Sequence, residues 1–172
     1  MDLSTLDITV IGGGIGGLTC ALALRQRGAS VTVLEQAQQI TEVGAGIQVS
    51  PNGLRVIEAL GLGDDLASRC VQGQAVSLRN GSTGAEVARL DLTRLPQDQR
   101  YFFVHRADLV DLLSAAARKA GVQVRLLQRV DTLVPGDRPR IVLATGDSRE
   151  TDLAIGADGI HSAARPVLNA AQ

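Results

Sequence analysis

Tryptophan is absent from this chain of 172 residues, and one tyrosine and two phenylalanines are its only aromatics. So sparse a set offers no platform for stacking nucleic-acid bases and no aromatic sugar site. An excess of one charge is missing too. Seventeen Lys and Arg stand against 18 Asp and Glu, for a formal net charge of −1. No broad attraction to nucleic acid or to an anionic membrane follows. The two cysteines, Cys20 and Cys70, form no CxxC pair, and the two histidines, His105 and His161, have no metal-ligand spacing around them. The cysteines read as reduced thiols, and the histidines as packing or surface residues. No apolar run approaches membrane-spanning length, and no basic leader precedes the first apolar stretch. A cytoplasmic protein is expected, with no metal and with neither nucleic acid nor membrane as partner.

What remains is ordinary globular material, 45% hydrophobic and 20% charged, long enough for one domain with a real core. Its most informative stretch is "VIGGGIGGLTC" at 10–20, with five glycines in six positions. The run "DITVIG" before it reads as a buried strand. "IGGLTCALALRQRG" after it reads as a helix, with Ile15, Leu18, Leu22 and Cys20 or Leu24 on its apolar face and Gly28 as its stop. "SVTVLE" is the next strand. Strand, glycine turn, helix and strand make a βαβ unit with parallel pairing and a right-handed crossover.

The loop fits G-x-G-x-x-G as Gly12, Gly14 and Gly17. Gly12 makes the tight turn, Gly14 lets backbone approach a pyrophosphate, and Gly17 lets the helix pack closely on the strand. The helix N-terminus adds free N–H groups and a partial positive charge. Glu35 closes the second strand, where a carboxylate accepts from the ribose hydroxyls of an adenosine and repels a 2′-phosphate. NADP is therefore disfavoured at this loop. NAD and FAD fit it equally well.

Further along, Ser50 and Pro51 open a helix with Leu54, Ile57 and Leu60 on one face and Gly61 at its end. "DDLASRC" reads as another helical turn or two. "AVSLRN" and "AEVARLDL" flank "GSTG" as a hairpin. "HRADLVDLLSAAARKAG" is the strongest helix, with Leu109, Leu112, Leu113 and Ala116 as its stripe, and "VQVRL" follows as a strand. "RVDTLV", "RIVLAT" and "TDLAIGA" are expected to form a three-stranded antiparallel meander. A simple NAD dehydrogenase would instead continue with βα units.

"GADGIHSAAR" resembles the Asp-Gly motif of the group A flavoprotein monooxygenases. "GAGIQVSPNGLRVIEALGL" and "HRADL" resemble the salicylate hydroxylase and 3-hydroxybenzoate 6-hydroxylase branch of that family. The three motifs stand in the family's order over nearly the whole chain. The fold implied is α/β: a Rossmann-like FAD-binding domain of the glutathione-reductase type, with a βαβ start and an antiparallel β-meander crossover. The resemblance places Gly12, Gly14, Ile15, Gly16 and Gly17 around the FAD pyrophosphate. It places Glu35 at the adenosine ribose with Gln36 beside it, and the backbone of Val130 at the adenine. Ala45, Gly46, Ile47 and Gln48 fall toward the flavin end. Arg106 falls at the phosphates or ribityl chain, and Asp158 and Gly159 in the FAD cradle. Read alone, Arg106 is a solvated first-turn residue, although a cation there opposes the helix dipole and so favours an anionic partner. Asp158 alone could simply start a turn at Gly159, Gln48 could face water, and Val130 could be a core residue of the meander.

The activity implied is hydroxylation of a phenolic or aromatic acid through a flavin hydroperoxide, with NAD(P)H as electron donor and a small aromatic substrate as partner; a homodimer is compatible with this. No catalytic acid or base is assigned. Residues 1–172 are expected to be a single FAD-binding domain that stops before the family's substrate domain and later Gly-Asp motif. Such a segment alone is expected to hold FAD weakly or not at all and not to hydroxylate. Two other readings stay open: another FAD-dependent reductase or oxidase on the same scaffold, and a non-catalytic adenine-dinucleotide-binding module.

Overall fold

A computed structural model describes residues 3–40, 45–96 and 98–170 of the chain. It divides into two compact units: residues 1–42 with 110–172, and residues 43–109. In chain order, the first unit begins with β1 (Asp7–Ile11), α1 (Ile15–Arg25) and β2 (Ser30–Leu34). The second unit holds β3 (Gly46–Val49), α2 (Pro51–Ala59), α3 (Gly63–Ala67), β4 (Val71–Gln72), β5 (Ala75–Arg79), β6 (Glu86–Asp91) and β7 (Phe102–His105). The boundary between the units falls within α4 (Arg106–Lys119). The first unit then resumes with β8 (Gln123–Arg125), β9 (Val130–Val134), β10 (Arg140–Leu143), β11 (Ser148–Glu150), β12 (Leu153–Gly156) and α5 (Ala164–Ala170).

The first unit is built on a parallel sheet in the order β12-β1-β2-β8. β1 and β2 are buried along four successive residues each, at 8–11 and 31–34. Continuous burial of this kind is what a parallel strand covered on both faces requires, and it explains why both runs are rich in Val and Ile. The βαβ unit has the parallel pairing expected of it, with Ile8 opposite Val31 and Val10 opposite Val33. On α1 the buried residues are Gly17, Leu18, Ala21 and Leu22, while Cys20 is half-buried.

The meander differs from expectation in its third strand. β9, β10 and β11 form the antiparallel sheet, and β11 comes from "SRE", inside the stretch read as a loop. "TDLAIGA" instead supplies β12, which joins the parallel sheet beside β1 with Ile155 opposite Val10. Its side of the sheet is fixed by a polar cluster at the start of β1. The buried Thr151 hydroxyl donates to the Asp7 carbonyl at 2.7 Å, Asp152 N–H donates to the same carbonyl at 2.9 Å, and Arg149 Nη2 reaches the Asp7 carboxylate at 2.8 Å. These long-range bonds decide the pairing of a run whose local pattern suits either sheet. The meander packs onto the parallel sheet through Ile11, Leu34 and Ile141, with Val130, Leu133, Leu143 and Ala154 around them.

In the second unit, β7 lies between β3 and β4, antiparallel to both, and β5 and β6 form the expected hairpin. Ser50 occupies the N-cap position of α2 and Pro51 its first turn, but the Ser50 hydroxyl bonds the Asn52 side chain and not a backbone N–H. Leu54, Ile57 and Leu60 are buried as read, and Gly61 leaves the helix at φ +76°. Along α4 the buried residues are Leu109, Val110, Leu112, Leu113, Ser114 and Ala117, while Ala116, read as part of the stripe, is half-buried. Both cysteines are free. Burial pushes both thiols above their ordinary range, and the nearby Asp108 charge adds to this at Cys70. Among the described residues no helix is long and apolar enough to cross a membrane.

Candidate functional site

In a parallel sheet, ligands settle at the carboxyl ends of the strands, where successive crossovers leave on opposite sides. The first unit has a cleft of about 310 Å³ at that place. Ile11 and Gly12 follow from β1, Leu34, Glu35 and Gln36 from β2, and Ala157, Asp158 and Gly159 from β12. Gln128 and Val130 line it from the start of the meander, and Ile160, His161 and Ala163 from the loop before α5.

The glycines of the opening motif do separate jobs. Gly12 turns the chain at φ +103°, and a Cβ there would come within 2.4 Å of the Ala157 carbonyl oxygen. Gly17 lies on α1 behind the cleft, where a Cβ would sit 1.9 Å from the Gly12 carbonyl oxygen. Gly14 lines the cleft and is the N-cap of α1, with no atom within 4 Å of where its Cβ would be. Ile15 and Gly16 are the first residues of that helix, half-buried and exposed respectively, and are not part of the cleft lining. The first turn of α1 carries no acidic residue and no side-chain cap. A helix N-terminus without a side-chain cap keeps N–H donors available, the arrangement that favours an anion.

Glu35 is held in place by backbone. Its Oε2 accepts from Gly13 N–H at 2.6 Å, and its Oε1 from Ala37 N–H at 2.9 Å. Gly13, absent from the residues singled out in the sequence, is thus a fixed point of the site. A Cβ at Gly13 would approach the Glu35 side chain to 3.1 Å. Each carboxylate oxygen keeps acceptor capacity beyond its backbone partner, so a ribose diol can still be bound.

Asp158 lines the cleft, but its carboxylate is committed to the protein. Oδ2 accepts from Ala163 N–H at 2.7 Å and from Ala164 N–H at 3.2 Å, closing the first turn of α5. Burial tends to raise this carboxyl. The hydrogen bonds from Ser162 and from the Ala164 and Ala163 amides outweigh that and hold it below the ordinary carboxylate range. Asp158→Ala is expected to cost about 1 kcal/mol, as the loss of a helix cap does. A carboxyl depressed in the folded state stabilises fully above its unfolded pKa and loses that contribution as pH falls through the folded value. The stability gap between the wild type and Asp158→Ala, read from urea midpoints, should accordingly be widest near neutrality and narrow below about pH 4. A gap independent of pH would contradict this role.

The remaining residues singled out in the sequence lie in the second unit or at its boundary. The β3–β7 register sets Gly46 opposite His105 and Gln48 opposite Phe103. The Arg106 N–H reaches the Ala45 carbonyl at 3.4 Å, so the "AGIQ" and "HR" stretches are neighbours. Gln48 is exposed, and its Oε1 accepts from the Tyr101 hydroxyl. Gly12, Gly14, Glu35, Gln36, Val130, Asp158 and Gly159 are brought together by one cleft. Ala157 and His161 join them there from within the "GADGIHSAAR" motif, and Gln128 joins them without a signal in the sequence.

The chemistry of this set suits the adenosine-diphosphate half of a dinucleotide: open N–H donors for phosphates, a fixed carboxylate for a ribose, and a small open channel over Gly14. A family model described as "FAD binding domain" matches residues 5–171. The 3-amino-4-hydroxybenzoate 2-monooxygenase of Streptomyces cremeus is 40% identical over 164 residues, 93% of this chain and 41% of that protein. The 3-hydroxybenzoate 6-hydroxylase of Polaromonas naphthalenivorans is 36% identical over 166 residues, with 93% and 41% covered. Among solved structures, the tetrameric form of 2-methyl-3-hydroxypyridine-5-carboxylic acid oxygenase superposes with a TM-score of 0.84 at 31% identity, over 95% of this chain and 42% of that one. Klebsiella pneumoniae HpxO, an R204Q form complexed with FAD, gives a TM-score of 0.80 at 32% identity over 94% and 42%. The chain spans about two fifths of the length of these relatives. The glycine turn, the backbone-held Glu35 carboxylate and the match over nearly every residue lead to one conclusion: this chain belongs to the FAD binding domain family.

Proposed function

We propose that the chain is the FAD-binding part of an NAD(P)H-dependent monooxygenase that hydroxylates a phenolic or aromatic acid. The observation that carries the reading is the cleft at the ends of β1, β2 and β12, with Glu35 fixed at its edge and α1 uncapped beside it. The relatives named for hydroxybenzoates favour an aromatic-acid substrate over other flavoenzyme chemistry. In this reading Gly12, Gly14 and the first amides of α1, including those of Ile15, Gly16 and Gly17, face the pyrophosphate. Glu35 binds the ribose hydroxyls with Gln36 beside it, and the Val130 backbone meets the adenine. Asp158 acts through structure. Its carboxylate orders the loop 159–163, which presents Gly159 to the cofactor. Arg106 serves the phosphates or ribityl chain, and Gln48 the flavin end.

Bound FAD supplies electron transfer from NAD(P)H and the activation of oxygen; the residues named here hold it and assign no acid or base. The test is oxygen uptake by the polypeptide that carries this chain, supplied with FAD, NADH or NADPH and a panel of phenolic acids, with products identified by mass spectrometry. A hydroxylated product is expected from at least one acid. NADH oxidation that yields hydrogen peroxide with every acid would instead favour a reductase or oxidase. A polypeptide that binds adenine nucleotides without preference for flavin would favour a non-catalytic module.

A further inference from the structure

One polar side chain on the cleft is left unused by the dinucleotide motif. Gln128 lines it, and its position is set by an unusual backbone. Leu127 has φ +58°, in the left-handed region that non-glycine residues rarely adopt; among the described residues no other non-glycine does so. Its side chain is 62% exposed, so its own packing does not hold it there. Two hydrogen bonds to the segment that follows β2 do. Leu127 N–H donates to the Ala37 carbonyl at 3.1 Å, and Gln128 N–H donates to the Glu35 carbonyl at 2.8 Å. The left-handed residue interrupts the alternation of side chains between β8 and β9, so the twist and not strand periodicity sets the face that Gln128 takes. Strained residues over-determined by their surroundings concentrate at ligand clamps.

The side chain is oriented as well. Gln128 Nε2 donates to the Leu127 carbonyl at 3.3 Å, which leaves the amide oxygen, an acceptor, for a partner outside the chain. Turning the amide over would set two carbonyl oxygens against each other. The residue is also tied through its own N–H to Glu35, the group that faces the ribose.

We propose that Gln128 is a specificity-determining residue that reads the base, its amide oxygen accepting from the exocyclic amino group of adenine. This rests on the assignment of the cleft to an adenosine diphosphate. A 6-oxo purine presents an acceptor where adenine presents that donor, and an amide oxygen facing it disfavours it.

The test is a titration of the polypeptide that carries this chain with ADP and with IDP, followed by amide chemical shifts so that weak binding is measurable. The unaltered chain is expected to bind ADP about tenfold more tightly than IDP. In Gln128→Ala, ADP binding should fall to near that of IDP, while IDP binding is unchanged and shows that the cleft is still folded. If Gln128→Ala still binds ADP with the original preference, or if both nucleotides weaken equally, the role of Gln128 is overturned and the cleft assignment stands. If the unaltered chain binds neither nucleotide, the cleft assignment itself falls, and this role with it.

Discussion

Gly17→Ala should destabilise the first unit by about 3 kcal/mol or more, at the upper end of what overpacking costs. The added Cβ would sit 1.9 Å from the Gly12 carbonyl oxygen, with the Gly12 carbonyl carbon at 3.0 Å and the Ala157 side chain at 3.4 Å. All three belong to segments that cannot give way separately. Gly12 is held by its own N–H to the Leu34 carbonyl at 2.8 Å, and Ala157 N–H donates to the Ile11 carbonyl at 2.8 Å. Relief therefore requires α1 to lift off β1, which exposes Leu18, Ala21 and Leu22. Chemical denaturation measures this directly, and a loss under about 1 kcal/mol would show that the helix moves more freely than its packing implies.

The same substitution elsewhere in the motif should behave differently. Gly16→Ala adds a methyl to an exposed helix position with open space around it, and is expected to be neutral or to stabilise by up to about 1 kcal/mol. Gly14→Ala, at φ −74° and ψ −176°, should leave stability within about 1 kcal/mol of wild type. Its methyl enters the space assigned to the pyrophosphate, so nucleotide binding should suffer without unfolding.

Glu35→Gln is the second change with a large expected effect. The carboxylate accepts from Gly13 N–H with one oxygen and from Ala37 N–H with the other. An amide has one acceptor end, so a glutamine must point an NH₂ at one of these two donors. The side chain then leaves its position, and the ribose loses a charge-assisted partner. Hydrogen bonds to charged groups contribute about 1.5–3 kcal/mol, which corresponds to roughly 10- to 100-fold in affinity for ADP. Removing the negative charge should also relax discrimination against a 2′-phosphate. Adenosine 2′,5′-bisphosphate, which the wild type should bind far less well than ADP, should approach it in Glu35→Gln. Unchanged affinity for both ligands would mean that Glu35 is only a backbone anchor.

Much of this was legible along the chain because it is local. The βαβ unit declares itself through two buried β-branched runs, the glycine turn between them and a carboxylate at the end of the second. The hairpin and the helices of the second unit follow from turn residues and apolar spacing in the same way. What escaped depends on distant partners. "TDLAIGA" and "SRE" are both short runs between turns. Only the bonds from Thr151, Asp152 and Arg149 to Asp7, at the other end of the chain, separate the parallel strand from the meander strand. Asp158 is conspicuous in its motif, but its use as an acceptor for Ala163 and Ala164 requires the loop between them to curl back. Gly13 and Gln128 carry no motif of their own and enter the site through Glu35. The motif spacing already sets Gly17 apart as the helix-packing glycine, and the space around each Cβ further separates the exposed Gly16 from Gly14 at the cleft.

The central claim is that the cleft at the ends of β1, β2 and β12 takes the ADP half of FAD through Glu35. Site-resolved amide shifts during an ADP titration test it most directly, since they register weak binding and report where it occurs. The expected result is a saturable change concentrated at residues 12–17, at Glu35 and Gln36, at residues 128–130 and at residues 157–161, and weakened about tenfold or more in Glu35→Gln. Shifts that fall elsewhere on the chain, or that titrate identically in Glu35→Gln, would contradict it.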